Sequence, residues 1–460
     1  MSINHLLDIG RSALLSAQFG LDVTANNIAN VNTPGYSRQR AVQAPRESVS
    51  MGGNFYGAGV SVESVERVYD AFLGHQVYKA NSEMVDYQMR EQTYMRIESI
   101  LYPSDETNLG SLIDEFFNTW QDLANNHAGS AERQMVLTKA EELAQNLRSL
   151  HGSLEEEIQY TNTVLEGYAD EVNRLASEIA LVNQEIGRLE GMGSPPNDLL
   201  DRRDALIEEL SGYLDPTVIE EEGGMVTVLV SGGQPLIQGN TSFTLDLAED
   251  PGNHGFYRLS VRGTDITDSL QGGKMRGVVE SREKMVEVQD ALNQIAAELV
   301  REFNQLHTTG YDLDGNLGQE FFTPIDPSST PDMARQIQVN IGDGDQIAAA
   351  QDPDALPGDN RNALAIAGLR DATVVDGGRT TVGGFYQSLV GRVGADVQDA
   401  ARKAEAGETV YNSMVDYKNS VSGVSLEEEE IRLLAYQHAY QAAAKFLTVV
   451  EDLMDTLLAI

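Results

Sequence analysis

Residues 3–28, INHLLDIGRSALLSAQFGLDVTANNI, and residues 433–457, LLAYQHAYQAAAKFLTVVEDLMDTL, decide how this chain is built. In the first, Ile3, Leu7, Gly10, Leu14, Ala17, Leu21, Thr24 and Ile28 alternate spacings of four and three, with small residues between larger ones. In the second, Leu433, Tyr436, Tyr440, Ala443, Leu447, Val450, Met454 and Leu457 alternate three and four. On a helix, such spacings draw a narrow apolar stripe along one side, which a partner helix must cover. The spacing predicts that the two ends pair outside the rest of the fold and complete their seams with neighbouring copies. Ends of this kind fold fully only on assembly.

Between the ends the pattern changes several times. Asn32-Thr33-Pro34-Gly35-Tyr36 ends the first helix, because proline lacks a donor and glycine favours a turn. Residues 37 to 65, broken by Gly52-Gly53, Gly57 and Gly59, read as extended. Leu73, Val77, Ala80, Met84, Tyr87, Tyr94 and Leu101 share one face of a second helix running to Pro103. The strongest helical signal spans about Ala131 to Leu189. There Val172, Leu175, Ile179, Val182, Ile186 and Leu189 keep heptad spacing, preceded by Leu143, Leu147, Leu150 and Leu154. Asn197 or Asp198 is expected to cap a shorter helix through Leu210.

The period then falls to two. Val226, Val228 and Val230 alternate with Thr227 and Leu229, and glycine pairs punctuate residues 214 to 271 as turns of a small antiparallel β unit. Helical spacing returns at Met285, Val288, Leu292, Ile295, Leu299, Phe303 and Leu306. Residues 310 to 380 read as loops, with a strand expected at Ile337-Val339-Ile341 and a short helix near Ala363 to Leu369. Leu389, Val393, Val397, Ala400 and Ala404 mark a further helix, and Ser425-Leu426-Glu427-Glu428 has the form of a capping box opening the last one. The expected fold is mainly α with an inserted β domain, elongated and multi-domain. Residues 1–65 and 420–460 form a terminal coiled-coil assembly domain, 66–213 and 272–419 a helical bundle rod, and 214–271 the β insert.

Composition narrows the function classes. A chain of 460 residues should divide into several domains. Its formal charge of -39 opposes binding to nucleic acid or anionic lipid, whose affinity comes from lysine and arginine. With no cysteine there is no disulfide, thiolate metal site or cysteine nucleophile. MSINHLLDIGRSALL has no basic n-region or small-residue cleavage site, and no stretch has the length of an apolar membrane span. The expectation is a cytosolic protein, or one exported without a cleaved signal peptide. Phosphate-binding loops and H-E-x-x-H are absent, and the seven histidines are scattered. No cofactor, metal or catalytic residue is expected. Asp312-Leu313-Asp314-Gly315-Asn316 begins like a calcium loop, but the glycine comes early and Thr323 stands at the twelfth position, so an Asp/Gly turn is expected. Glu427 to Glu430 read as acids at the positive end of a helix dipole, and Trp120 as a core residue.

Two segments carry a family pattern. Asn26, Asn27, Asn30, Asn32, Thr33, Pro34, Gly35 and Tyr36, within NNIANVNTPGY, resemble the N-terminal signature of the axial proteins of the bacterial flagellum. The continuation Ser37-Arg38-Gln39, the C-terminal run around LAYQHAYQA, NDLLDRRD at 197–204, GGKMRG at 272–277 and GYDLDG at 310–315 are similar to the hook-associated protein 1 family. The resemblance implies a structural subunit, not an enzyme, joining hook to filament and required for filament assembly. It implies self-assembly in a tubular or ring array through the terminal stripes, after export by the flagellar type III apparatus. The implied partners are further copies of the chain, hook protein, the second hook-associated protein and an export chaperone on the C-terminal helix, with no nucleic acid and no membrane. The chain is short for this family, so a second outer domain is expected to be absent or reduced. Another axial protein (hook, rod or second junction protein) is the alternative within the class, and a cytosolic coiled-coil adaptor the alternative outside it.

Overall fold

The computed structural model describes residues 3–51, 53–104, 108–193, 195–326 and 332–458. Helix α1 (Ile3–Ala29) leads into a long hairpin. Strands β1 (Gln39–Pro45) and β4 (Val60–Arg67) pair antiparallel along its base, and β2 (Val49–Met51) and β3 (Asn54–Tyr56) pair near its tip. Helix α2 (Ala71–Leu101) opens on Asp70, whose carboxylate accepts from the Leu73 N–H, and α3 (Leu109–Asn125) opens on Asn108, which accepts from Ser111. These side chains satisfy N–H groups that a first helical turn leaves without partners. Helix α4 (Ser130–Glu190) continues for 61 residues, a rod of ~90 Å. Helix α5 (Asn197–Ser211) folds back on its end.

Strands β5 (Thr217–Glu220), β6 (Val226–Val230), β7 (Gln234–Gln238) and β8 (Thr241–Ser242) form one antiparallel sheet in chain order. A second is made by β9 (Leu245–Asp250), β10 (Phe256–Val261) and β11 (Thr264–Asp265), with β10 central. Helix α6 (Gly273–His307) packs on α4 and α2. After α7 (Met333–Gln336) and α8 (Arg361–Ala367), α9 (Val382–Ser422) lies along α2, and α10 (Leu426–Leu458) returns to α1.

Two apolar cores are strung along α4. Around its first half, Leu143, Leu147 and Leu154 pack with Phe116 and Trp120 of α3, Leu299 and Phe303 of α6, and Phe321 and Phe322. Phe116 and Phe303 stack with centroids 5.0 Å apart. Around its second half, Val172, Leu175, Ile179, Val182 and Ile186 meet Ile207 and Leu210 of α5 and Val226, Val228, Val230, Leu259 and Val261 of the two sheets. The period-two valines are buried as their alternation predicts. The sheets have no separate inner core, since α4 supplies the apolar face that they cover. The insert is therefore packed along the rod, not merely joined to it at its two ends.

Asparagines on α4 fix where the strands sit. Asn173 donates to the Leu245 carbonyl (3.0 Å) and accepts from its N–H (2.8 Å). Asn183 does the same with Val226 (2.8 and 3.4 Å) and also donates to Gly239 O. Asn162 bridges Gly255 O and Tyr257 N, and receives Arg282 from α6. A primary amide matches one donor and one acceptor of a strand edge, so each pairing meets backbone demands that burial would otherwise leave open.

Several local expectations are corrected. Helix α3 was not anticipated, although Leu109, Ile113, Phe116, Trp120 and Leu123 have helical spacing and all are buried. Residues 337–341 make no strand, only an isolated bridge of Val339 to Phe322. Asn197 and Asp198 do not cap α5, whose N-cap is Pro196. Their side chains reach Val65 O and Gln39 Nε2 instead. The Asp/Gly turn at 312–316 forms as expected, with Asp312 accepting from Asp314 N, Asn316 N and Asn316 Nδ2. Among the described residues no group of three or more potential ligands could hold a metal ion.

Candidate functional site

Helices α1 and α10 run antiparallel: Gly10 faces Leu447, Gly20 faces Tyr436 and Asn27 faces Glu429. The approach is close. A Cβ at Gly10 would stand 2.7 Å from Leu447 Cδ2, and at Gly20 the Tyr436 ring occupies the space a Cβ would need. Only glycine fits there. On α1 the sealed residues are small or polar, namely His5, Gly10, Ser12, Ser16, Ala17, Gly20, Thr24 and Asn27. The other side of α1 rests on the hairpin, where Ser12 Oγ accepts from the Val60 N–H at 3.2 Å.

Helix α10 is apolar on two opposite sides. Leu433, Tyr436, Ala443, Leu447, Val450 and Met454 lie on one side, all buried or half-buried. Ile431, Leu434, Val449, Leu453 and Leu457 lie toward the other, and all are exposed, while the part-exposed Phe446 stands at the edge, with its ring near Gly10. Covering each such side chain is worth about 1.5–3 kcal/mol, so the outer face is a stored driving force for association. A contiguous exposed apolar surface of this kind marks an interaction site.

At the base of the pair the signature residues form a knot. Asn27, 1% exposed, donates to Gln39 O (2.8 Å) and Glu429 Oε2 (3.0 Å), and accepts from Gln39 N and the Tyr36 hydroxyl (both 2.9 Å). Asn26 donates to the Tyr36 hydroxyl, and Asn30 donates back to the Asn26 carbonyl and amide oxygens. Ser37 N donates to Asp201 of α5. Asp201 and Asp204 receive Arg67 at 3.0 and 2.6 Å. Arg38 binds Glu428 at 2.7 Å, and its N–H donates to Ser422 O at the end of α9. The segment thus joins α1, the hairpin, α5, α9 and α10 at one place.

Electrostatics follow from that crowding. Burial, with Asp198, Asp201 and Glu429 adding to it, pushes the Tyr36 phenol up to about 12, so it remains a hydrogen-bond donor throughout the physiological range. Burial works against the Arg67 charge, but Asp204 and Asp201 outweigh it and hold its pKa above the ordinary value. The knot holds the chain together and presents no nucleophile paired with a base.

The comparisons with known proteins agree along the chain. A family described as flagellar hook-associated protein FlgK helical domain matches residues 94–322. Flagella basal body rod protein matches 7–36, and flagellar basal body rod FlgEFG protein C-terminal matches 419–460. Flagellar hook-associated protein 1 of Bacillus subtilis is 29% identical, over 98% of this chain and 96% of that one. Those of Salmonella typhimurium and Escherichia coli are 28% and 26% identical, each over 100% of this chain and at least 99% of the relative. The chain belongs to the flagellar hook-associated protein 1 family. The solved structure of the flagellar hook junction protein FlgK from Burkholderia pseudomallei shares the fold, with TM-score 0.68 at 17% identity, covering 76% of this chain and 100% of that one. Family membership gives this chain a structural role in the bacterial flagellum.

Within this family member the anticipated seam residues fall into three groups. Leu433, Tyr436, Leu447, Val450 and Met454 face α1, while Leu7, Leu14, Leu21, Ile3 and Ile28 are only half-buried beside the small residues that make the contact. Tyr440 and Leu457 are exposed, at 37% and 59%. Of the signature, Asn26, Asn27, Asn30 and Tyr36 build the knot, whereas Asn32, Thr33, Pro34 and Gly35 lie on the surface. Reading Glu427–Glu430 as dipole partners missed two of the four: Glu428 pairs with Arg38, and Glu429 is buried against Asn27. The capping box is half-made, with Ser425 Oγ accepting from Glu428 N at 3.5 Å. Nothing in the spacing of Arg67, Asp201, Asp204 and Glu429 along the chain places them together.

Proposed function

We propose that the chain forms the junction between hook and filament, and that filament growth requires it. The observation that carries this reading is the doubly apolar α10: one face closes on α1 of the same chain, and the other, with Ile431, Leu434, Val449 and Leu453, has no cover among the described residues. Neighbouring copies supply that cover, in a tube or ring whose inner wall is the terminal pair (residues 1–65 and 420–460). The helical bundle (66–213 and 272–419) makes the wall, and the β unit (214–271) faces outward. Heterologous contacts of this kind continue from subunit to subunit instead of closing a dimer. The same face binds an export chaperone before the chain leaves, without a cleaved signal, through the type III apparatus. Hook protein lies below the assembly and the second hook-associated protein above it.

The test is a Leu453→Asp variant expressed in cells lacking the natural protein. It should be exported and found in the medium, with filament protein shed and motility lost, while the unaltered chain restores motility and appears in sheared flagella. Normal swimming by the variant, or recovery of the natural chain from cytosol alone, would overturn the reading.

A further inference from the structure

Phe55 stands at the tip of the hairpin with 78% of its surface exposed, more than any other large apolar side chain among the described residues. Beside it are Val49, also exposed, and a two-stranded tip too small to hold itself rigid by packing. The arm is also electrically distinct. Residues 39–67 carry three arginines and three glutamates, so the rest of the chain bears the whole formal charge of -39. Arg40 and Arg67 pair with carboxylates, but Arg46, exposed at the neck, has no ion pair among the described residues.

At the other end of α1 lies a cleft of about 530 Å³. Its apolar lining includes Phe19, Val23, Leu189, Pro196 and Leu199, with Asp22 and Asp198 exposed beside them. Asp22 likewise has no ion pair among the described residues, so each of the two surfaces carries a free charge of the opposite sign to the other. The arm cannot fill this cleft in its own chain. Its strands start where Gln39 meets Asn27 and run to where Gly59 meets Ile9 and Ser12, with the tip lying beyond. Ser12 and Val23 are separated by ~16 Å along the helix.

We infer that the hairpin is a docking arm, and that its Phe55 tip seats in the α1–α4–α5 cleft of a second copy of this chain, with Arg46 drawn to that copy's Asp22. Donor and acceptor sit toward opposite ends of one helix, so each copy can give one contact and receive one, and the contact repeats head to tail. This rests on the self-assembly reading but uses a surface separate from the outer face of α10.

The test uses the purified full-length chain, with association followed by sedimentation velocity against concentration. Phe55→Ser should raise the midpoint for association roughly tenfold or more, as expected for losing one buried phenylalanine per contact. Arg46→Asp and Asp22→Arg should each weaken association, and the double variant should regain most of the loss. A photo-crosslinker at position 55 should join two chains, with the product mapping to residues 19–26 or 189–199. Crosslinks confined to one chain, or association indifferent to Phe55 and to the charge swap but abolished by Leu453→Asp, would overturn the arm and leave self-assembly standing. A natural chain that stays monomeric throughout would overturn both.

Discussion

Where α4 meets α6 and the sheets, leucine, isoleucine, valine and phenylalanine fill the contact and are sealed from solvent. Where α1 meets α10, the glycine, alanine, serine, threonine and asparagine of α1 receive Leu433, Tyr436, Leu447, Val450 and Met454 of α10, and Phe19, Ile431, Leu434 and Leu453 point away. Both are helix packings, but they place the apolar surplus differently. The body spends its large side chains inside one molecule. The terminal pair brings backbones close with the small residues of α1 and keeps a second set of large ones on α10 for something outside. A seam with large side chains from one helix only gives less hydrophobic energy than one filled from both sides. The pair is thus held by close fit and by the knot around Asn27, and its full stabilisation awaits a neighbour.

The contrast is most severely tested by removing the β unit. Replacing residues 214–271 with a short Gly–Ser connection uncovers Val172, Leu175, Ile179 and Ile186, now sealed by the sheets and α5. At about 1.5–3 kcal/mol per large side chain, the loss approaches the whole stability of an ordinary domain. Thermal melting followed by circular dichroism should lose its cooperative transition. Retention of a sharp melt would mean that α4 can close its own face.

A smaller break concerns the seam. Leu447→Asp puts a carboxylate against Gly10 of α1, at a cost of about 2 kcal/mol. Hydrogen exchange should quicken in residues 10–27 and 430–455 while the body keeps its protection and its melting temperature. Lys445 is exposed on α10, and Lys445→Asp should change neither; a worse defect there than at Leu447 would reverse the assigned faces.

Acid should act on the body before the ends. Burial pulls the His307 imidazole down to about 4, held neutral between Gln319 O and the Ala348 N–H. The unfolded chain binds this proton from about 6.5 downward and the folded one does not until about 4. Stability is therefore complete above 6.5 and falls as pH drops through that window, by about 3 kcal/mol in all. Melting temperatures measured from pH 7 to 4.5 should decline, and His307→Gln should flatten the decline. An unchanged slope in the variant would assign the acid limb to other groups.

The smallest effect sharpens the comparison most. Leu453 is 52% exposed, so Leu453→Asp should shift monomer stability by no more than about 0.5 kcal/mol. Its melting curve as a dilute monomer should overlay that of the natural chain.

What could be read from the sequence is what periodicity encodes. Val172, Leu175, Ile179 and Ile186 announced a buried face at heptad spacing, and Val226, Val228 and Val230 a strand with one side inward; both stand so in the fold. The stripe of α10 was legible for the same reason. Its second face was not, because alanines at 435, 439 and 442 blur the boundary between an inner and an outer side. On α1 the stripe includes Gly10 but not Gly20, whose importance lies in what comes near it. The knot was invisible in physical terms, since Asn27 and Glu429 lie 402 residues apart and no local rule relates them.

The asparagines of α4 have a consequence beyond fixing strands. Asn173 and Asn183 grip the main-chain N–H and carbonyl of Leu245 and Val226 and are indifferent to the side chains there. A grip on the peptide group recognises any residue but proline. The side of each sheet turned away from α4 is therefore free to drift in sequence while the strand stays in register on the rod. An exterior can be rewritten on a scaffold that reads only its backbone.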